Sequence, residues 1–223
     1  MKNRATTTRR ASPDREKRRQ EILRAATQLF AERGMENVTF GDIARSARLS
    51  RPLVYFYFPD LETLFLEAVV VATSKLQQRF VHALRPSLKG LDQLMALGAA
   101  YVQFARDEPA LFQLLAHRET KSNSAAKAEH PLEKECHARF SGIMDVLGAT
   151  LRQGVADRSI RPDVGDPAQV AVCLWGLTHG LIQISTTQLP TIESKLGAAA
   201  AAGLPDFGLD LLRRSLAART RRS

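Results

Sequence analysis

The sequence predicts an all-α fold, and three observations support this prediction. Apolar residues recur at intervals of three and four along most of the 223 residues, which is the spacing of one face of an amphipathic helix. Short polar segments that contain proline, glycine or a capping residue separate these stretches, as expected where helices begin and end. Neither the alternation of a strand nor an internal repeat is found in the sequence. We therefore expect helices throughout, joined by short loops.

The first two helices are predicted before residue 48. The apolar stripe of the first consists of Ile22, Ala26, Leu29 and Phe30. Gly34 is expected to end this helix, because glycine adopts a positive φ without strain. Thr39 and Asp42 have the spacing of a capping box, which satisfies free amides at the start of a helix. The apolar face of this second helix consists of Phe40, Ile43, Ala44 and Ala47.

A third helix is predicted directly after a tight turn. Arg48 and Leu49 form the turn, Ser50 is the expected cap, and Pro52 lies in the first turn, where a missing N–H does little harm. The helix runs from about residue 51 to 58, and eight residues span about 12 Å. That length is close to the width of the DNA major groove, about 12 Å. Residues 39–58 are therefore predicted to be a helix-turn-helix.

The third helix has one buried and one exposed face in this prediction. Val54 and Phe58, four residues apart, are expected to join the core of the three helices, and Tyr55 fits either face. The remaining side chains are expected nearer a groove: Arg51, Pro52, Leu53, Phe56 and Tyr57.

This region resembles the DNA-binding domain of the TetR family of bacterial transcription regulators. The resemblance extends over residues 18–40 (RRQEILRAATQLFAERGMENVTF), the motif at 39–58 and residues 59–69 (PDLETLFLEAV). It implies a three-helix DNA-binding domain, placed at residues 17–77, in which Thr39 contacts a phosphate and the third helix contacts bases or phosphates. The candidate DNA-binding residues are Thr39, Arg45, Arg48, Ser50, Arg51, Pro52, Leu53, Tyr55, Phe56 and Tyr57.

Three positions depart from the family pattern. Arg48 stands where glycine is usual, Leu61 replaces a lysine that often contacts the DNA backbone, and Tyr57 replaces a frequent histidine. The predicted reading surface is therefore unusually apolar, which favours contacts with thymine methyl groups over pairing of arginine with guanine.

The positive charge is concentrated at the two ends of the chain, whose net charge is +9. Residues 1–20 contain eight Lys or Arg and two acids, whereas residues 213–223 contain five Arg and no acid. Residues 1–16 lack a core pattern and are predicted to be a disordered basic arm, and residues 219–223 a basic tail. The arm either follows a minor groove or phosphates, as homeodomain arms do, or serves only as a solubilising tail.

The helical pattern continues through the rest of the chain. A long fourth helix starts at Leu61 and ends before Pro86, and is predicted to act as a lever. Further helices follow around residues 91–105, from Pro109, around 136–151, from Asp166 and from Asp206, with a polar loop at 119–130 and a loose alanine-rich helix at 191–203.

The segments at 101–119 and 174–184 resemble a TetR-type subgroup with a Trp-x-x-x-His-Gly motif. This resemblance implies that residues 78–218 form a ligand-binding and dimerisation domain, with the last two long helices pairing across a homodimer. His179 is the best polar anchor, although each candidate alone is more often a packing residue. The candidate ligand-binding residues are Tyr101, Phe104, Phe112, His117, Phe140, Met144, Trp175 and His179.

The eighth helix is expected to be buried on two sides, because it has two apolar stripes. One stripe is Val170, Leu174, Leu177, Leu181 and Ile184, and the other is Ala171, Trp175, Thr178 and Ile182.

Several classes of function are not supported by the sequence. Residues 168–184 come closest to a membrane span, but they contain polar side chains. The basic start of the chain is not followed by the apolar stretch of a signal peptide. A cytoplasmic protein is therefore expected. No phosphate loop or catalytic triad is recognisable, so an enzyme is not expected. Cys136 and Cys173 are expected to be buried thiols. His130 and His137 are not expected to form a metal site, and no cofactor is expected.

The prediction is thus a sequence-specific DNA-binding regulator, a repressor released from a palindromic double-stranded operator by a small, largely apolar effector. Two alternatives stay open: an effector-free architectural DNA-binding protein, and a transcriptional activator of the same fold.

Overall fold

The structure is a computed structural model that describes residues 13–121 and 130–218. The predicted arm up to residue 12, most of the predicted polar loop and the tail from residue 219 lie outside the described residues. The helices are α1 (Pro13–Arg33), α2 (Phe40–Ala47), α3 (Arg51–Tyr57), α4 (Leu61–Ala83), α5 (Gly90–Asp107), α6 (Pro109–Lys121), α7 (Pro131–Ala156), α8 (Pro167–Thr187), α9 (Leu189–Leu196), α10 (Ala198–Ala202) and α11 (Leu204–Leu216). The described residues contain no strand, only an isolated antiparallel bridge between Ile160 and Ala217. The all-α prediction is confirmed.

The chain forms two compact units, and the division falls after Ala68. The predicted boundary between residues 77 and 78 lies further along α4. Helix α4 extends from Leu61 to Ala83 and therefore contains residues of both units.

The first unit has a small apolar core built from its helices as predicted. Ile22 and Phe30 of α1 are fully buried, as are Ile43 of α2 and Val54 of α3. The ring of Phe30 meets that of Phe65 edge-on, with 5.5 Å between centroids. Burial of such side chains is the main driving force that holds short helices together.

Helix α1 starts earlier than the sequence predicted. It begins at Pro13, so residues 13–16 are helical and do not belong to the predicted disordered arm. Proline is favourable in a first helical turn, and Asp14 and Glu16 complement the positive end of the helix dipole. The apolar periodicity did not predict this first turn, because its residues are exposed and mostly polar.

The second unit packs α5 against α7, and the N-terminus of α5 is held by the loop after α7. A Cβ atom on Gly90 would lie 2.2 Å from the backbone nitrogen of Gly154, so the two helices touch here through backbone alone. The Gly90 N–H donates to a carboxylate oxygen of Asp157 at 2.7 Å, and the Leu91 N–H donates to Ser159 Oγ at 3.0 Å. Hydrogen bonds from the Ser159 side chain and from the Gly90 N–H keep the pKa of Asp157 below its usual range.

Smaller differences concern the later loops and helices. His130 caps α7, since its ring nitrogen accepts a hydrogen bond from the Leu132 N–H at 3.2 Å. The alanine-rich segment forms the two short helices α9 and α10, and α11 starts at Leu204, slightly before the predicted Asp206.

Candidate functional sites

The start of α2 is fixed by the predicted capping box. The Asp42 N–H donates to Thr39 Oγ1 at 3.2 Å, and the Thr39 N–H donates to Asp42 Oδ2 at 3.0 Å. The hydrogen bond from the Thr39 hydroxyl is the main reason that the pKa of Asp42 lies below its usual value. Arg45 donates to Asp42 Oδ1 at 3.2 Å, yet its side chain is 81% exposed. Thr39, at the start of α2, and Arg45, in its last turn, therefore both lie on the surface.

Arg48 adopts the left-handed conformation that its place in the turn requires. Its φ is 56° and its ψ is 41°, where glycine is usual. The turn is closed by hydrogen bonds from the Arg48 N–H to the Arg45 carbonyl at 3.2 Å and from the Leu49 N–H to the Ala44 carbonyl at 2.9 Å. This is a Schellman ending, and it leaves the Arg48 side chain exposed between α2 and α3.

Helix α3 has the two faces that were predicted. Val54 and Phe58 are buried, with exposures of 0% and 1%. Leu53 and Tyr57 are half-buried, whereas the exposed side chains of the helix are those of Arg51, Pro52, Tyr55 and Phe56. Ser50 stands at the expected N-cap position, but its side chain makes no capping hydrogen bond, so the prediction of its capping role is wrong. Ser50 as a residue is exposed.

Tyr55 serves both faces, which the sequence left open. Its ring packs edge-on against Phe40 of α2, with 4.5 Å between centroids. The Arg51 guanidinium lies over the same ring at 5.6 Å and donates to the Tyr55 hydroxyl at 3.3 Å. These contacts place the Arg51 guanidinium beside the Tyr55 ring at the surface.

This surface includes one residue that the spacing of apolar residues does not predict. The guanidinium of Arg15, in the first turn of α1, lies 5.3 Å from the ring centroid of Phe56, which is 65% exposed. Phe56 also meets Tyr57 edge-on at 5.3 Å. The start of α1 thus adds a cation beside the apolar face of α3. No signal in the sequence placed Arg15 there, because residues 13–16 carry no apolar periodicity.

In the second unit, six of the eight candidate ligand-binding residues form one cluster. The Tyr101 hydroxyl and His179 Nδ1 are 2.7 Å apart, and the Tyr101 ring stacks on Trp175 with centroids 4.5 Å apart. Burial lowers the pKa of His179, so its imidazole is neutral near pH 7. The other members are Phe104, Phe112 and Phe140, each with a ring contact to Tyr101, Trp175 or His179. His117 and Met144 are half-buried on α6 and α7.

Two cavities adjoin this cluster, and Trp175 lines both. The larger, about 380 Å³ including its open mouth, is lined by Tyr101, Trp175 and apolar side chains such as Phe80 and Leu209. The smaller, about 320 Å³ on the same measure, is lined by Phe140 and Trp175 and also by Arg118. The linings of these two cavities do not include the other five candidates: Phe104, Phe112, His117, Met144 and His179.

An exposed apolar surface lies on α8 and α11. Its large side chains are Val172, Leu177, Ile184, Phe207 and Leu211, each between 42% and 60% exposed. The two helices touch closely, since a Cβ atom on Gly208 would lie 2.2 Å from a methyl carbon of Leu181. Gly176 and Gly180 of α8 have open space where a Cβ would stand. We call this the α8/α11 surface.

Comparison with known proteins identifies the family. Residues 22–68 match the family model for bacterial regulatory proteins of the tetR family, and residues 94–206 match that for the tetracyclin repressor-like C-terminal domain. The chain belongs to the TetR family. It is therefore a DNA-binding transcriptional regulator with an N-terminal helix-turn-helix domain, as predicted.

Relatives of this TetR-family protein include a repressor and two solved regulators. It is 25% identical over 171 residues, 75% of each chain, to the probable acrEF/envCD operon repressor of Escherichia coli K12. The fold resembles that of the ketosteroid regulator KstR2 of Mycobacterium tuberculosis, with a TM-score of 0.73, 20% identity, and coverage of 91% of this chain and 96% of the other. It also resembles AibR, solved with isovaleryl coenzyme A and operator DNA, with a TM-score of 0.69, 15% identity, and coverage of 91% and 100%. The relatives are transcription regulators rather than enzymes.

Other predicted properties can be compared with the described residues. Among the helices of the described residues, α8 is the one that is long and apolar enough to cross a membrane. The core helices of many soluble proteins pass the same test. Residues 13–121 and 130–218 contain no group of three His, Cys, Asp or Glu that is placed to hold a metal ion.

Cys136 is buried, and burial raises the pKa of its thiol to about 11. Cys173 is exposed, so the prediction that both thiols are buried is wrong for this residue.

Proposed function

We propose that this TetR-family regulator is a cytoplasmic, homodimeric repressor that reads a palindromic operator through α3. The exposed face of α3 carries the proposal. Buried Val54 and Phe58 fix the helix in place, and the opposite side presents Arg51, Tyr55 and Phe56 to solvent. Apolar and aromatic groups on the exposed face of a helix suit contact with thymine methyl groups in a major groove.

The predicted phosphate contacts are supported by their position at helix ends. Thr39 stands at the start of α2, and Arg45 and Arg48 stand at its end, all with exposed side chains. Such groups orient a reading helix without specifying sequence. Arg15, beside Phe56, is a further candidate for a phosphate contact. These cations compensate for Leu61, which replaces a basic residue.

The α8/α11 surface is the proposed dimer interface. The exposed side chains of α7 are mostly small or polar, for example Ser141, Asp145 and Arg152, whereas those of α8 and α11 are large and apolar. We therefore propose α8 with α11, in place of the last two long helices, α7 and α8, that the resemblance suggested. An exposed apolar surface of this kind is typical of an interface. Gly176 and Gly180 allow close approach of a second α8.

Effector binding is proposed to act through α4. Phe80 of α4 lines the larger cavity, and Val69 and Thr73 line the smaller one, so a bound molecule contacts this helix directly. The same helix begins at Leu61, within the first unit. A dimer reads two half-sites about one helical turn apart, so a small shift of α4 suffices to misplace the second α3. The coupling required is about 1–3 kcal/mol.

The proposal is tested by selecting bound sequences from a random DNA pool. We expect enrichment of one palindrome, and a mobility shift of that palindrome that is reversed by at least one compound in a library of small apolar molecules. Enrichment without any common sequence would contradict the regulator and favour an architectural protein. A reporter gene placed behind the palindrome separates repression from activation, since its expression should rise when the regulator is deleted.

A further inference from the structure

The smaller cavity contains one charged group in an otherwise apolar lining. Its walls come from α4, α6, α7 and α8 and consist of Val69, Thr73, Leu115, Arg118, Cys136, Phe140, Ile143 and Trp175. The Thr73 hydroxyl donates to the Val69 carbonyl within its own helix. With its pKa raised to about 11, the Cys136 thiol stays protonated. Arg118 is thus the one ionised side chain among the lining residues.

The hydrogen bonding of Arg118 is incomplete. Its Nη2 donates to Glu133 Oε1 at 2.7 Å, and both side chains are largely buried, with exposures of 15% and 17%. Its Nε is fully buried and has no hydrogen-bond partner among the residues that the structure describes. A buried donor without an acceptor is unfavourable, and native proteins rarely leave one unless water or a ligand completes it.

The charge of the pair decides which acceptor fits. Glu133 already balances the positive charge of Arg118, so an added carboxylate would leave a net negative charge in a buried place. An uncharged carbonyl oxygen accepts the Nε hydrogen without that penalty. The walls beside it are aromatic and aliphatic, with Phe140 and Trp175 edge-on at 5.4 Å.

We propose that the smaller cavity binds an apolar molecule that carries one uncharged carbonyl group, and that Arg118 Nε donates to the carbonyl oxygen. The inference rests on the proposed ligand-responsive function and specifies the chemical class of the effector. Trp175, which lines both cavities, provides the apolar wall against which the body of the molecule packs.

Three probes of similar shape test the acceptor by isothermal titration calorimetry on the full chain. Acetophenone carries the carbonyl, α-methylstyrene replaces its oxygen by a CH₂ group, and benzoate carries a charge. We expect acetophenone to bind about tenfold more tightly than α-methylstyrene, because one hydrogen bond contributes about a factor of ten. It should also bind more tightly than benzoate, whose charge would be buried without a balancing cation. Equal binding of acetophenone and α-methylstyrene, or tighter binding of benzoate, would overturn the inference.

A variant pair tests the residue. Arg118→Lys keeps a cation for Glu133 but has no donor at the Nε position, so acetophenone should bind about tenfold more weakly while α-methylstyrene is unaffected. Arg139→Lys is the matched control, since Arg139 also pairs with a glutamate, Glu135 at 2.7 Å, but does not line the cavity. Unchanged acetophenone binding in Arg118→Lys would overturn the assignment of Nε.

DNA measurements on the same samples keep the two proposals distinguishable. If acetophenone binds as expected but the selected palindrome is not released, the inference stands and the ligand-responsive function fails. If acetophenone does not bind but another compound releases the palindrome, the function stands and the inference is overturned.

Discussion

In the DNA-binding unit, a capping box holds the start of α2, and two buried side chains, Val54 and Phe58, hold the inner face of the reading helix α3. The Thr39–Asp42 capping box and the burial of Val54 and Phe58 follow from spacing alone, and the structure has both. The missing Ser50 cap and the position of Arg15 did not follow, because they depend on side-chain rotamers and on an exposed turn without apolar periodicity. The spacing of residues along the chain does not predict a role that depends on a neighbour in three dimensions.

Phe56 is expected to contribute to operator binding rather than to stability. Replacing it with alanine should weaken binding to the selected palindrome by about tenfold or more, since burial of a phenylalanine side chain contributes about 1.5–3 kcal/mol. The melting temperature should change little, because the side chain is 65% exposed. Fluorescence anisotropy with labelled DNA measures the first and calorimetry the second. Val81→Ala removes an equally exposed apolar side chain, 69% on α4, and should leave the affinity unchanged.

Arg48 is expected to lower the stability of the protein and to contribute a contact with DNA. Arg48→Gly relieves a left-handed conformation, so the free energy of unfolding should rise by about 1 kcal/mol. Loss of a phosphate contact should lower operator affinity and reduce the slope of log affinity against log salt by about 1. Arg158 also has a positive φ, 62°, and Arg158→Gly should stabilise the protein without changing the salt slope. An unchanged slope in Arg48→Gly would remove this residue from the DNA contacts.

At the scale of elements, the sequence predicted the existence of the helices better than their ends. The apolar periodicity of α4, α5, α7 and α8 carried over to the structure. One apolar stripe of α8 is buried as predicted: Ala171, Trp175, Thr178 and Ile182. The other stripe is buried only in part. Leu174 is buried and lines the larger cavity, while Leu177 and Ile184 are exposed. Spacing shows that a face is apolar, but not which neighbour covers it.

The junction between α5 and α7 is expected to tolerate no added side chain. Gly90→Ala places a Cβ atom 2.2 Å from the Gly154 nitrogen, so the helices must move apart, and the free energy of unfolding should fall by about 1–3 kcal/mol. Gly142→Ala in α7 is the control, because its Cβ would be 3.6 Å from Gln77, an ordinary contact, and alanine favours a helix. Chemical denaturation compares the two. Equal stability of both variants would refute the close contact.

At the scale of the whole molecule, the family and the DNA-binding function were predictable because the helix-turn-helix is a local motif. The two cavities of the second unit were not, since a cavity is formed by residues that are distant in sequence, such as Thr73, Arg118 and Trp175. Of the aromatic residues predicted to bind ligand, several pack on one another beside the cavities, and their contact with an effector stays a prediction. Cavities are set by the gaps between helices, which periodicity does not describe.

Dimer formation through the α8/α11 surface should respond to a buried charge. Phe207→Glu and Leu177→Glu each place a carboxylate in the proposed interface, and both should give monomers in sedimentation velocity and lose cooperative operator binding. Leu196→Glu introduces the same charge at an equally exposed site on α9, 52% exposed, outside this surface. It should remain dimeric. A Phe207→Glu variant that stays dimeric would place the interface elsewhere.

Footprinting on the DNA that flanks the gene of this regulator tests the central claim most directly, because it reports sequence specificity, symmetry and the spacing of the two reading helices together. We predict one short protected region with two half-sites related by a palindrome, their centres separated by about one helical turn or a multiple of it. The Phe56→Ala variant should require a higher concentration for the same protection. Protection that spreads evenly along the DNA as protein concentration rises, without a preferred sequence, would contradict the account.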